Sequence, residues 1–472
     1  MQYKWVVLTV TTIGIFMSSL DASIIVVGLK VVMNDLNTNL AAGVWIITSY
    51  RLATTVLLLS IGRFADMIGR VKLYNIGFLV FTIGSGLCAV APDATTLVTF
   101  RLLQGVGSAL LFVNSMAIVT DAFPPDELGT GISINQVAIN AGNIVGYTLS
   151  GIMISLFSWR SLFVVNLPIG AFGAYWAHRR LKELPRKEIG QKFDGAGAAA
   201  FSTGLTILLL AMTVGDIRSV FTQVAILLGV LMLSLFFYIE RRVGHPLIDP
   251  RLFRIRAFAV GNFTNLLNGI TFGGLAFVIA LYYQVVRGLL PEQAGLALIP
   301  LDIALLFIGP VSGRLSDKFG ARWLSAIGLA ISGASFLLFA SLDLTTPELM
   351  VVEALAVAGL GIGFFRSPNA SSVMGSVPAE RRGIAAGVRS TIINTSLVIS
   401  IPLATLLMTF VLPYQTLSAI IAGGQPNSAD LSLFVAAIRY VFLVFAFVNF
   451  FGALISPLRG SFKKPDAPAL DV

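Results

Sequence analysis

Gly62-Arg63-Phe64-Ala65-Asp66-Met67-Ile68-Gly69-Arg70-Val71-Lys72 lies between two long apolar runs. It returns as Gly313-Arg314-Leu315-Ser316-Asp317-Lys318-Phe319-Gly320-Ala321-Arg322, again between two apolar runs. The copies are 251 positions apart, so the chain carries an internal duplication marked by a charged Gly-Asp-Gly turn. A second correspondence supports it: Pro125-Asp126-Glu127-Leu128-Gly129 in one half, Pro378-Ala379-Glu380-Arg381-Arg382-Gly383 in the other.

The apolar runs around these turns set the fold class. The chain of 472 residues is 56% hydrophobic and 12% charged, with a mean hydropathy of +0.88; soluble domains carry about 25% charged residues. Its apolar residues fall into runs near the ~20 residues that a helix needs to cross about 30 Å of hydrocarbon. Fourteen such spans are expected, from 5–29 to 433–456, with the sixth at 161–178. The first run, from Trp5 to Gly28, is too long for the apolar core of a cleaved signal peptide. The expected architecture is an all-α polytopic membrane protein of two six-helix bundles plus two inserted helices. Residues 1–182 form the first bundle, 183–250 the linkers and inserted pair, and 251–472 the second bundle.

The net charge of +9 is explained by topology. Loops after even-numbered spans hold clusters such as Arg63, Arg70, Lys72; Arg179, Arg180, Lys182; and Arg314, Lys318, Arg322, whereas the opposite loops hold only Lys30, Arg160, Arg218 and Arg287. Basic residues accumulate on the cytoplasmic side, so both termini are expected there. No basic stripe with interleaved aromatics suggests nucleic acid. No phosphate-binding loop, nucleophile elbow or Cys/His metal cluster occurs. The expectation is therefore not an enzyme, with no cofactor, no metal and no nucleic-acid partner. The single cysteine, Cys88, reads as a small core residue.

Charged residues inside apolar spans are costly and default to functional candidates. Asp21 is the most deeply placed acid, Asp302 lies a few residues into its span, and Glu353 lies near the start of another. Arg51, Arg101, Arg366 and Arg389 add intramembrane positive charge. Arginine stays charged, so the carboxylates are the proton-carrier candidates, and helix–helix ion pairing is the alternative role for the charged set. Asn140 and Asn143 on one span, and Asn262, Asn265 and Asn268 at every third position of another, are expected to line a central cavity.

Several motifs carry a family resemblance. The repeated turn resembles the loop between helices 2 and 3 of major facilitator superfamily transporters. Trp159-Arg160-Ser161-Leu162-Phe163-Val164-Val165-Asn166-Leu167-Pro168-Ile169-Gly170 resembles a signature of the fourteen-helix drug–proton antiporter family. Leu20-Asp21-Ala22 resembles that family's helix 1 motif, and Arg101-Leu102-Leu103-Gln104-Gly105 its helix 4 motif. The helix 5 motif departs: Gly142-Asn143-Ile144-Val145-Gly146-Tyr147-Thr148-Leu149-Ser150-Gly151 lacks the family's proline and one glycine.

The resemblance implies a secondary active transporter of the cell membrane, most simply proton-coupled efflux of amphipathic compounds by alternating access. Its partners would be a small amphipathic substrate, protons and the lipid bilayer, with a monomer expected. It also implies a cytoplasmic latch of Gly62, Asp66, Gly69, Arg70, Gly313, Asp317 and Gly320, in which Asp66 meets a C-half helix N-terminus and Arg70 or Arg63 pairs with Asp121 or Glu127. The arginine-rich interior favours an alternative, transport of an anionic metabolite or lipid. A membrane-embedded non-transport protein is the third reading.

Overall fold

The computed structural model describes residues 2–124, 127–183, 194–214, 219–243, 246–378, 381–424 and 427–460. Its helices are α1 (Tyr3–Asp35), α2 (Leu40–Ile68), α3 (Arg70–Ala89), α4 (Ala94–Ala122), α5 (Leu128–Leu156), α6 (Ser161–Val164), α7 (Asn166–Arg180), α8 (Gly195–Val214), α9 (Val220–Glu240), α10 (Arg256–Leu281), α11 (Pro291–Ala297), α12 (Ile299–Phe319), α13 (Ala321–Ala340), α14 (Glu348–Gly375), α15 (Arg382–Met408), α16 (Tyr414–Ile421) and α17 (Ser428–Ile455). Among the described residues, 13 helices are long and apolar enough to cross a membrane. The sixth expected span differs: it is divided at Val165 into α6 and α7. The break puts Asn166 at the first position of α7, where its side chain turns inward.

The duplication is visible in the packing. In the first bundle α1 packs on α5, α4 on α2 and α3, and α3 on α7. In the second, α10 packs on α15, α14 on α12 and α13, and α13 on α17. Lipid supplies no hydrophobic drive between helices, so close backbone approach through small residues does the work. A Cβ on Gly107 of α4 would lie 2.4 Å from the Phe81 amide nitrogen of α3, and one on Gly359 of α14 2.2 Å from the Leu301 carbonyl of α12.

The repeated turn has one backbone requirement. Gly69 joins α2 to α3 at φ 115°, and Gly320 joins α12 to α13 at φ 81°, conformations that L side chains resist. Gly320 has open space where a Cβ would stand, so strain alone is at stake there. Gly320→Ala is expected to lower stability by about 1–3 kcal/mol, read as a drop in thermal midpoint in detergent. An unchanged midpoint would show that the turn relaxes without glycine.

The inserted pair is seated against both bundles through α8. α8 packs on α9, and also on α2 of the first bundle and α15 of the second. Trp45 Nε1 of α2 donates to Thr213 Oγ1 of α8 at 2.8 Å.

The bundles meet at the face opposite the termini. Gln284 Nε2 donates to the Val27 carbonyl at 3.0 Å and Lys30 Nζ to the Gln284 carbonyl at 3.2 Å. α16 reaches across to α2: the Leu40 and Ala41 amides donate to Ser418 Oγ and the Tyr414 hydroxyl at 3.1 and 3.0 Å. Gly151 of α5 and Gly295 of α11 each touch backbone of the other bundle, at Glu292 and Tyr147. Nearer the termini, by contrast, Gly387 of α15 and Gly309 of α12 face open space.

Candidate functional site

Two systems of intramembrane charge occupy the interior, and they differ in kind. The first is closed. Arg101 of α4 and Asp21 of α1 form an ion pair with both side chains fully buried. Gln104 Nε2 and Asn166 Nδ2 each donate to Asp21 Oδ1 at 2.8 Å. Arg101 Nη1 also donates to Gln104 Oε1 at 2.8 Å, and its Nε to the Ile46 carbonyl of α2 at 3.1 Å. Ser85 Oγ of α3 accepts from Gln104 and Asn166 at 2.9 and 3.1 Å, and the Arg101 guanidinium lies 4.3 Å from the Tyr50 ring centre. Five helices thus converge on one carboxylate. Buried charge survives only when paired and hydrogen-bonded, and this pair is both.

Asn166, Ser85 and Gln104 are members of this site that charge-based sequence reasoning passed over. The signal was present: Asn166 stands in the Trp159–Gly170 motif and Gln104 in the Arg101–Gly105 motif, but which acid they serve depends on the helix contacts.

The second system is open. Arg51 of α2, Arg366 of α14 and Arg389 of α15 are half-buried, and none of them forms an ion pair with a described residue. Arg51 Nη2 donates to the Ala22 carbonyl at 3.2 Å; its Nε and that of Arg389 are buried without a hydrogen-bond partner. Arg366 lies over the Phe272 ring at 4.5 Å. Asp302 is 8% exposed and is an electrostatic neighbour of Arg366 and of Tyr147 on α5. Tyr147 stands at the place of the absent helix 5 proline and senses Arg51 and Arg366 as well as Asp302.

The remaining candidates fall elsewhere. Asn268 Nδ2 donates to Asn449 Oδ1 at 3.3 Å, and Asn449 to Thr271 Oγ1 at 2.9 Å, so Asn268 serves the α10–α17 contact inside the second bundle. Asn262 Nδ2 bonds its own helix at the Phe258 carbonyl, 3.0 Å. A three-residue step turns about 300°, or about 60° back, so the three asparagines spread over about 120° of α10, and Asn268 and Asn262 make these bonds within the second bundle. Asn265 is buried with its Nδ2 unpartnered; Asn140 and Asn143 are half-buried, and Glu353 is exposed. On the terminus face Arg70 pairs with Asp121 at 2.7 Å, whereas Glu127 is taken by Lys4. The side chains of Arg63, Asp66 and Asp317 lie outside the described residues, and Gly62 and Gly313 sit within α2 and α12.

Among the described residues no group of His, Cys, Asp and Glu side chains is arranged to hold a metal ion. The arrangement is that of two equivalently packed bundles, with a locked charge pair in the first and half-buried arginines without ion-pair partners among the described residues in both.

Comparisons with known proteins agree with this architecture. The Major Facilitator Superfamily model matches residues 11–239, 193–400 and 261–469. The riboflavin transporter RibZ of Clostridioides difficile is 32% identical over 396 residues, 84% of this chain and 86% of that transporter. The multidrug resistance protein Stp of Mycobacterium tuberculosis is 32% identical over 393 residues, 81% of this chain and 72% of its own. Among solved structures, a bacterial homologue of the human lysosomal transporter Spinster, inward-facing and unoccupied, superposes with a TM-score of 0.69 at 18% identity, covering 97% of each chain. With the duplication, the packing and the sequence match in accord, the chain belongs to the Major Facilitator Superfamily and is a multi-pass membrane transporter, not an enzyme.

Proposed function

We propose that the protein is a proton-coupled secondary transporter of amphipathic compounds, working by alternating access and exporting them across the cell membrane. The two moving bodies are residues 1–182 and 251–472, and both termini are cytoplasmic. Relatives named as a multidrug resistance protein, a methylenomycin A resistance protein and a multidrug transporter support export. Contact at the face opposite the termini, with open space nearer them, then makes this an inward-facing conformation.

The observation that carries the coupling is the contrast between the two acids. Asp21 has its charge compensated by an arginine and two amides. Asp302 is buried and makes no hydrogen bond or ion pair with a described residue, and only distant compensation comes from Arg366. Gaining and losing a proton therefore disrupts less structure at Asp302. Asp302→Asn is expected to abolish accumulation driven by a pH gradient in proteoliposomes, by at least about 10-fold, while substrate counterflow continues. Full gradient-driven accumulation in this variant would remove Asp302 from the coupling. A second reading, transport of an anionic metabolite or lipid, is favoured by the unpaired arginines.

A further inference from the structure

We infer that the central site takes an oxyanion, a carboxylate or phosphate, carried on an apolar or aromatic body. The inference rests on the transporter reading above and assigns its substrate class. Three guanidinium groups from both bundles, Arg51, Arg366 and Arg389, stand against one carboxylate, Asp302. Helix contacts and charge link them in a chain: α2, which carries Arg51, packs directly on α15, which carries Arg389; Arg389 is an electrostatic neighbour of Arg366, and Arg51 and Arg366 are both electrostatic neighbours of Tyr147. Arg366 reaches toward the same space from α14, beside Phe272 of α10.

The pairing state of these side chains points the same way. Arg51 and Arg389 each have a buried Nε without a hydrogen-bond partner, and neither has an acid beside it among the described residues. Arg101 also leaves one nitrogen, Nη2, without a partner, but it is fully buried, ion-paired to Asp21 and bonded to carbonyl and amide oxygens. The other three are half-buried, form no ion pair with a described residue, and come from α2 of one bundle and α14 and α15 of the other. A guanidinium presents a planar fork that matches carboxylate and phosphate oxygens. Phe272 and Tyr147 supply the flat apolar walls that an amphiphile's body needs. A cation would meet the opposite: at 4 Å and an effective dielectric of 20, one like charge costs about 4 kcal/mol, and a single carboxylate does not offset three such groups.

The test is a binding panel on the purified full-length protein in nanodiscs. The ligands share one aromatic body bearing a carboxylate, a quaternary ammonium or a neutral amide; a single-chain alkyl phosphate and inorganic phosphate complete it. Wild type is expected to bind the carboxylate at least about 10-fold tighter than the ammonium, and Arg389→Gln and Arg366→Gln are each expected to weaken the carboxylate about 10- to 100-fold. Arg389→Lys, which keeps the charge, is expected to restore part of the loss, and thermal melting identifies variants that fail to fold. Tighter binding of the alkyl phosphate than of the aromatic carboxylate would assign a lipid headgroup; binding of inorganic phosphate alone would reject the amphiphile requirement. Equal or tighter binding of the ammonium by wild type, or carboxylate binding unchanged in both folded arginine variants, would overturn the inference. Proteoliposome transport is read separately. Gradient-driven movement of the ammonium compound would sink the oxyanion site while leaving the transporter reading standing; binding without movement of any ligand would do the reverse.

Discussion

Asp21→Ala is expected to destabilise the protein by about 3–5 kcal/mol, because Arg101 would remain charged in a site with no exposure and no other acid. Gln104 and Asn166 would lose their shared acceptor as well, since both donate to the same carboxylate oxygen. Arg101 cannot escape the cost by losing its proton. The double variant Asp21→Leu/Arg101→Met removes both charges together and is expected to recover part of the loss; the remainder belongs to the two stranded amides. Thermal unfolding in detergent measures the stability, and tracer counterflow measures what survives of transport. A single variant as stable as wild type would mean that water reaches the pair and that Asp21 is available for protonation, returning it to the coupling mechanism.

Gly151→Ala is expected to drive the bundles apart at the face opposite the termini. A Cβ there would lie 2.0 Å from Cα and 2.4 Å from the nitrogen of Glu292, which is backbone of the other bundle. Backbone cannot swing aside as a flexible side chain does, so an overpacking cost of about 1–3 kcal/mol falls on this conformation alone. That shifts the ratio of conformations about 5- to 150-fold toward the state open on that face. Spin labels at Phe157→Cys and Leu290→Cys, in a Cys88→Ser background, report the separation across that face; both positions are exposed. Distances identical to those of the parent would show that the contact is incidental to the cycle.

The class of protein was legible because hydrophobic length and charge placement are local properties of the chain. Fourteen apolar runs, a repeated Gly-Asp-Gly turn and a one-sided distribution of arginines need no knowledge of which helix touches which. Even the glycine of the turn is a local matter: Gly69 and Gly320 hold positive φ in equivalent joints, and a recurring glycine at such a joint is read directly. The break of the sixth span at Val165 also has a local source, since Pro168 has no N–H to offer the Val164 carbonyl.

The intramembrane charges were equally visible as a list, but the list did not sort itself. Asp21 stood out by depth, and depth did not reveal that Arg101, Gln104 and Asn166 enclose it from α4 and α7. Arg51 and Arg101 looked alike in sequence; one is half-buried without an ion pair to a described residue and the other is locked. The asparagines at 262, 265 and 268 were grouped by spacing, yet Asn268 is held by Asn449, 181 positions away. Sequence by itself determined the membrane class, the duplication and the identity of the costly charges, since each depends on composition over a window of one helix. Only the tertiary structure decided which of those charges are neutralised and which remain unpaired. A charge's energy is set by the groups within a few ångströms of it, and in a helical bundle those groups arrive from distant parts of the chain.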